Sequence, residues 1–269
     1  MKKSIVISVQ PTKFSALAFK EDLETNIKKI ATLDYDGVEL AVRDPASLDV
    51  EKIFKFVKDY QLEVPAIGTG QAWGEEGLSL SDPNEKIRRM AVERIKEQII
   101  FASHFSAQVI IGLIRGIVKE GKTRHETEDY TVTSLRECAA FAINYNTILT
   151  LEPINRYESN FINTLEEGVD FVKKVSMPNV KLLADTFHMN IEEVSIYKSM
   201  IKSKEYISHV HFADSNRWAP GFGHLDFEKI VKTLIEISYQ GYVSAEILPM
   251  PDQDKAAAKT METFKRINL

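Results

Sequence analysis

Short β-type runs alternate with amphipathic helical stretches eight times along this chain, and few architectures accommodate that rhythm. The strand-like runs are SIVISV (4–9), DGVEL (36–40), LEVPAIG (62–68), QVIIGL (108–113), TILTLE (147–152), VKLLAD (180–185), YISHVHFAD (206–214) and YVSAEIL (242–248). Between them lie stretches such as EDLETNIKKIATL, NEKIRRMAVERIKEQIIFASHF and TLEEGVDFVKKV, whose apolar residues recur at three and four. Strand–helix alternation calls for a parallel sheet, and eight such units in 269 residues predict a single-domain (β/α)8 TIM barrel over residues 1–269. A doubly wound open sheet would announce a nucleotide site with a glycine-rich first turn. Here the first strand runs into QPTKFSALAFKED, which has no glycine, and the GxG at Gly68–Gly70 lacks its third member. No Gly/Ser-rich linker or charge block marks a domain boundary.

With 34 basic and 39 acidic residues the formal charge is −5, so no global field draws the chain to nucleic acid or an anionic membrane. The lone Cys138 excludes an intramolecular disulfide; lying in the apolar stretch SLRECAAFAINY, it reads as buried and inert. In MKKSIVISVQPT the apolar segment is too short for a signal-peptide core or a membrane span, and a cytoplasmic location is the expectation.

In a barrel the chemistry gathers at the C-terminal ends of the strands. There the fifth run ends in Glu152, the sixth in Asp185 and the eighth nearly in Glu246, while the seventh carries His211 near its end. One ligand-type side chain thus arrives per strand on four consecutive neighbours. Any one of these has a plainer explanation: a lone carboxylate at a strand end is usually a cap or a surface charge, and Asp185 before TFHMN could be a cap. Four coincidences on adjacent strands are harder to accept than one site. Three carboxylates and one imidazole make a hard, oxygen-rich cage that suits Mn²⁺, Mg²⁺ or Co²⁺ and tolerates Zn²⁺. His209 shares the inward face of His211 one layer deeper and reads as a buttress. Arg156, Glu158, Asn160, Asn163, His188 and Arg217 follow close behind these strand ends and supply hydroxyl-binding groups.

The segments LEPINRYESNFINT, ADTFHMNIEE, HVHFADSNRWAPGFGHLDF and GYVSAEIL resemble, in order, motifs of the xylose isomerase-like sugar isomerase/epimerase barrels. The likeness is greatest to the D-tagatose 3-epimerase and D-psicose 3-epimerase branch, and it extends to LSLSDPNEKIRRMAVERIKEQIIFAS ahead of the fourth strand. The resemblance implies that Glu152, Asp185, His211 and Glu246 bind one divalent metal ion, Mn²⁺ in the first instance. It implies that Glu152 and Glu246 also transfer protons, and that Glu158, His188 and Arg217 hold the O1 and O2 end of a small sugar. A homo-oligomer, dimer or tetramer, is expected as well.

The activity so implied is ketose 3-epimerisation, in which a proton leaves C3 and returns through a cis-enediolate. Inverting that centre calls for an acid and a base on opposite faces, which glutamates on the fifth and eighth strands can supply. A phosphate would meet Asp252 and Asp254 in PMPDQD near the usual barrel phosphate site, although Gly221 and Gly223 offer some backbone there, so a free sugar is favoured. Aldose–ketose or sugar-phosphate isomerisation and dehydration start from the same enediolate and remain the alternatives. An AP endonuclease-like metal hydrolase is remote, because it needs more histidines than the six present and a basic face. A sugar-binding barrel without activity leaves the glutamate pair unexplained.

Overall fold

Each strand-like run forms a strand, and the eight close on themselves in sequence order. In the computed structural model, which describes residues 1–20 and 22–269, these are β1 (Lys2–Ser8), β2 (Gly37–Ala41), β3 (Ala66–Gly68), β4 (Gln108–Ile111), β5 (Leu149–Leu151), β6 (Val180–Asp185), β7 (Ile207–Phe212) and β8 (Tyr242–Ala245). Every neighbouring pair is parallel, and closure joins β1 to β8 with Ser4 opposite Ser244. The helices are α1 (Leu23–Thr32), α2 (Val50–Asp59), α3 (Gly70–Glu76), α4 (Glu85–Ser103), α5 (Arg124–Ile143), α6 (Leu165–Val175), α7 (Thr186–Glu192), α8 (Ile196–Ser203), α9 (Phe227–Glu236) and α10 (Gln253–Arg266). The protein is a (β/α)8 TIM barrel, as the alternation predicts.

The period of two along each strand sorts the side chains into two environments. On β7, Val210 and Phe212 point outward and join the large apolar layer between strands and helices. Their neighbours His209 and His211 point inward, where they meet Glu39. The lumen also holds a small apolar plug of Ala66, Ile110 and Leu183. Helix starts other than that of α3 carry side-chain caps that satisfy otherwise orphaned N–H groups. The Thr164–Glu167 capping box forms at α6, and Thr123 with Glu126 makes another at α5. Cys138 lies inside the apolar layer, where burial pushes its thiol up to about 12, so it is not a nucleophile. Among the described residues no helix is long and apolar enough to cross a membrane.

Candidate active site

The C-terminal rim brings Glu152, Asp185, His211 and Glu246 together, with one ligand-type atom from each lying within 4.8 Å of the others. His211 Nδ1 stands 3.6 Å from Asp185 Oδ2 and 3.9 Å from Glu152 Oε1. All three of these atoms are buried and have no hydrogen-bond partner. Buried polar atoms are nearly always paired, so three that converge unpaired call for a missing electrophile. Three carboxylates and an imidazole are the donor set of a hard divalent cation, and the residues present fit one. Asp185 is a cap, the plainer role weighed from sequence: Oδ1 caps α7 by accepting from the Phe187 and His188 N–H groups, which leaves Oδ2 facing the cluster.

The charges are consistent with that reading. Burial, and then the neighbouring Glu246 carboxylate, push Glu152 well above the ordinary carboxylate range. Burial likewise raises Glu246, offset in part by Arg217 and His211. Burial alone would push His211 down, yet Glu39 and Asp185 hold it well above its ordinary value. Room for Glu152 depends on Gly112 just after β4. A Cβ there would meet Glu152 Oε2 at 2.7 Å.

Beneath the cluster sits Glu39, in the middle of β2, a residue the sequence reading passed over as part of an apolar strand. Its Oε2 accepts from His209 Nε2 at 2.8 Å, and both its oxygens lie 3.0–3.1 Å from His211 Nε2. A carboxylate with these partners is an acceptor, so His211 keeps its proton on Nε2 and turns Nδ1 toward the cluster. Burial raises Glu39, but the His211 charge and the two histidine hydrogen bonds win and hold its carboxyl well below the usual range. His209 lies beneath the cluster, bonded to Glu39 and packed edge-on against the His211 ring with centroids 5.3 Å apart.

Glu158, His188 and Arg217 all line the same cavity. Arg217 donates to Glu158 Oε1 through Nη1 and to Glu246 Oε2 through Nη2, both at 2.9 Å. Its backbone sits in the left-handed region at φ 61°, uncommon for a residue with a side chain. The fully buried Asp214 shapes this loop by accepting from the Ser215, Gly221 and Leu225 N–H groups. Gly223 is required beside it, since a Cβ would fall 2.2 Å from Asp214 Oδ1. Asn155, also missed from sequence, donates to Glu158 Oε1 and to His188 Nδ1. His188 therefore carries its proton on Nε2, which lies 3.8 Å from Glu152 Oε1. Burial holds this imidazole down to about 4, so near neutral pH it is an uncharged donor facing the cavity.

Three expected contributors go elsewhere. Arg156 turns outward into a bidentate pair with Glu192, Asn160 bonds the Val118 backbone, and Asn163 bonds the Ile154 and Ser159 carbonyls. The last two shape the β5 loop, and the buried Arg115 holds it through the Phe161 and Ile162 carbonyls. The cavity is otherwise walled by apolar groups including Val6, Phe14, Leu17, Ile110, Leu113 and Ile154.

Fold and site define a class of protein: a (β/α)8 barrel with one acid-rich, imidazole-backed cluster at its C-terminal rim and a small apolar-walled cavity above it. The chain belongs to the xylose isomerase-like TIM barrel family, whose sequence profile matches residues 27–267. It is 27% identical over 264 residues to an L-ribulose 3-epimerase of Mesorhizobium japonicum, covering 97% of this chain and 87% of that one. To a D-psicose 3-epimerase of Ruminiclostridium cellulolyticum it is 32% identical over 243 residues, covering 85% and 79%. A crystal structure of D-psicose 3-epimerase with D-tagatose, from Clostridium cellulolyticum H10, superposes with a TM-score of 0.81 at 26% identity, over 99% of this chain and 98% of that one.

Proposed function

We propose that the protein is a divalent-metal-dependent ketose 3-epimerase acting on an unphosphorylated sugar. The observation that carries the reading is the convergence of Glu152, Asp185, His211 and Glu246 with three of their buried atoms unpartnered. These four would hold the cation, which when bound supplies a Lewis acid that stabilises negative charge developing beside the ketose carbonyl. Glu152 follows β5 and Glu246 follows β8, so the two carboxylates reach the cavity from different sides of the rim. One takes the C3 proton as base and the other returns a proton to the opposite face, giving inversion without the sugar turning over. Burial has already raised both carboxylates toward the range in which they exchange protons.

His188 offers its Nε2–H to a sugar oxygen, with Asn155 fixing the tautomer. Arg217, clamped between Glu158 and Glu246, orients the same end and is in turn held by its strained loop. The apolar wall keeps water from the carbanion-like intermediate. Among the described lining residues Arg217 is the one arginine or lysine, and with His211 it faces the four carboxylates Glu39, Glu152, Glu158 and Glu246, a balance that disfavours a phosphate. Asp252 and Asp254, weighed against a phosphate from sequence, do not line the cavity: Asp252 caps α10 and Asp254 pairs with Lys29.

The test is incubation of the Mn²⁺-loaded enzyme with ketohexoses and ketopentoses in D₂O, read by NMR. Product carrying deuterium at C3 alone is expected, and Glu152→Gln and Glu246→Gln should each abolish epimerisation. Either variant should still exchange the C3 proton on the face whose glutamate survives. Deuterium at C1 would instead mean aldose–ketose isomerisation on the same cluster.

A further inference from the structure

The acidic cluster occupies the β5–β8 side of the rim, and the opposite side is built differently. There α3, which follows β3, places Gln71 in the cavity wall. Gln71 is 2% exposed and its Oε1 is buried with no hydrogen-bond partner. Its amide orientation is determined by a chain of bonds running away from the cavity. Gln71 Nε2 donates to Ser8 Oγ at 2.9 Å, and the Ser8 hydroxyl donates to the Gln10 carbonyl. The Gln10 side chain is itself clamped, accepting from the Arg43 and Asp44 N–H groups and donating to the Asp44 carbonyl and Ser47 Oγ. With the Ser8 proton committed to Gln10, the Gln71 amide cannot turn over without losing a bond. Oε1 is therefore presented as an acceptor and nothing else.

The same cavity is lined by Phe14, Leu17, Ala41 and Ile110, surfaces suited to C–H groups. One oriented acceptor set in an apolar wall fits a hydroxyl on a carbon chain. A sugar held at the acidic cluster by its first three carbons would extend its remaining carbons toward this side.

We propose that Gln71 is a specificity-determining residue that accepts a hydrogen bond from one hydroxyl on the C4–C6 portion of the ketose. The enzyme thereby reads configuration at a carbon remote from the reacting one. This rests on the ketose reading given above. A sugar lacking that hydroxyl, or bearing it in the other configuration, leaves a buried acceptor unpaired, which costs about tenfold to a hundredfold in apparent affinity.

The experiment compares the Mn²⁺-loaded wild type with Gln71→Met and Ser8→Ala. Each is assayed on a panel of ketohexoses and on their 4-, 5- and 6-deoxy analogues, by equilibrium calorimetry and, where there is turnover, by kcat/KM. The wild type should disfavour one of the three analogues by about tenfold to a hundredfold. Gln71→Met should lose that discrimination by weakening on the parent sugar alone. Ser8→Ala, which frees the amide to rotate, should show part of the same loss, and it carries the decision should Gln71→Met fail to fold. Discrimination unchanged in both variants, or parent and analogues all weakened in equal proportion, would overturn the assignment. A wild type that binds these sugars with the expected pattern but turns none of them over would sink the epimerase reading and leave Gln71 as the acceptor. A wild type that binds none of them would overturn both.

Discussion

Replacing Glu39 by Gln tests how the barrel prepares an imidazole for a cation without touching the four cluster residues. Both histidines point Nε2 at the Glu39 carboxylate, at 2.8 Å for His209 and 3.0–3.1 Å for His211. A carboxylate satisfies two donors at once, whereas a carboxamide has one oxygen and opposes the second N–H with its own. One histidine must then give way. If His211 does, its proton moves to Nδ1, the atom that faces Asp185 and Glu152, and the ligand position is blocked. If His209 does, a proton moves to its Nδ1, which is buried without a partner. Either adjustment costs about 1–3 kcal/mol. Losing an outer carboxylate behind a ligating histidine typically weakens metal binding by roughly 10- to 100-fold, or about 1.4–2.8 kcal/mol. Competition of Mn²⁺ between protein and a chelator of known affinity measures this directly, with circular dichroism confirming the fold. An E39Q affinity within about threefold of wild type would refute the tautomer argument, because the expected loss starts near tenfold.

Stripping the cation should lower the thermal midpoint, and restoring Mn²⁺ at a hundredfold over its Kd should return about 2.7 kcal/mol; equal midpoints with and without metal would contradict the site. Since Glu152, Glu246 and His211 are all held above their ordinary values in the metal-free protein, binding must displace protons from them, and Mn²⁺ affinity should fall as pH falls. Gly112→Ala should leave the fold intact, because the atom its Cβ meets at 2.7 Å is the end of a side chain rather than backbone. That atom is Glu152 Oε2, so kcat/KM should drop by about 100-fold, and a wild-type rate would show that Glu152 tolerates displacement.

How much of this site can be read from the chain depends on the distance over which a residue finds its partner. The barrel follows from local signals, since each strand and helix carries its own period and caps. Glu152, Asp185, His211 and Glu246 are legible for a related reason: each stands at a strand end, and the barrel converts equal position along a strand into proximity. Arg156 misleads because a loop has no period. Nothing local distinguishes a side chain that turns outward to Glu192 from Asn155, one residue earlier, that turns inward to His188. Gln71 is hidden for a different reason, because its significance lies in Ser8 and Gln10, whose own chain position says nothing of α3.

Glu39 is the instructive case, since a signal for it does exist. DGVEL reads as an apolar strand interrupted by a charge, and β2 pairs with β1 so that Glu39 stands opposite Val6, a residue of the lumen. A carboxylate on the inward face of a barrel strand has neither water nor room to remain unpaired. It must meet a donor from another strand, and the inward donors near that level are His209 and His211, about 170 positions away. An inward-facing charge in such a barrel thus predicts a polar centre, even when the identity of its partner emerges only after the sheet closes.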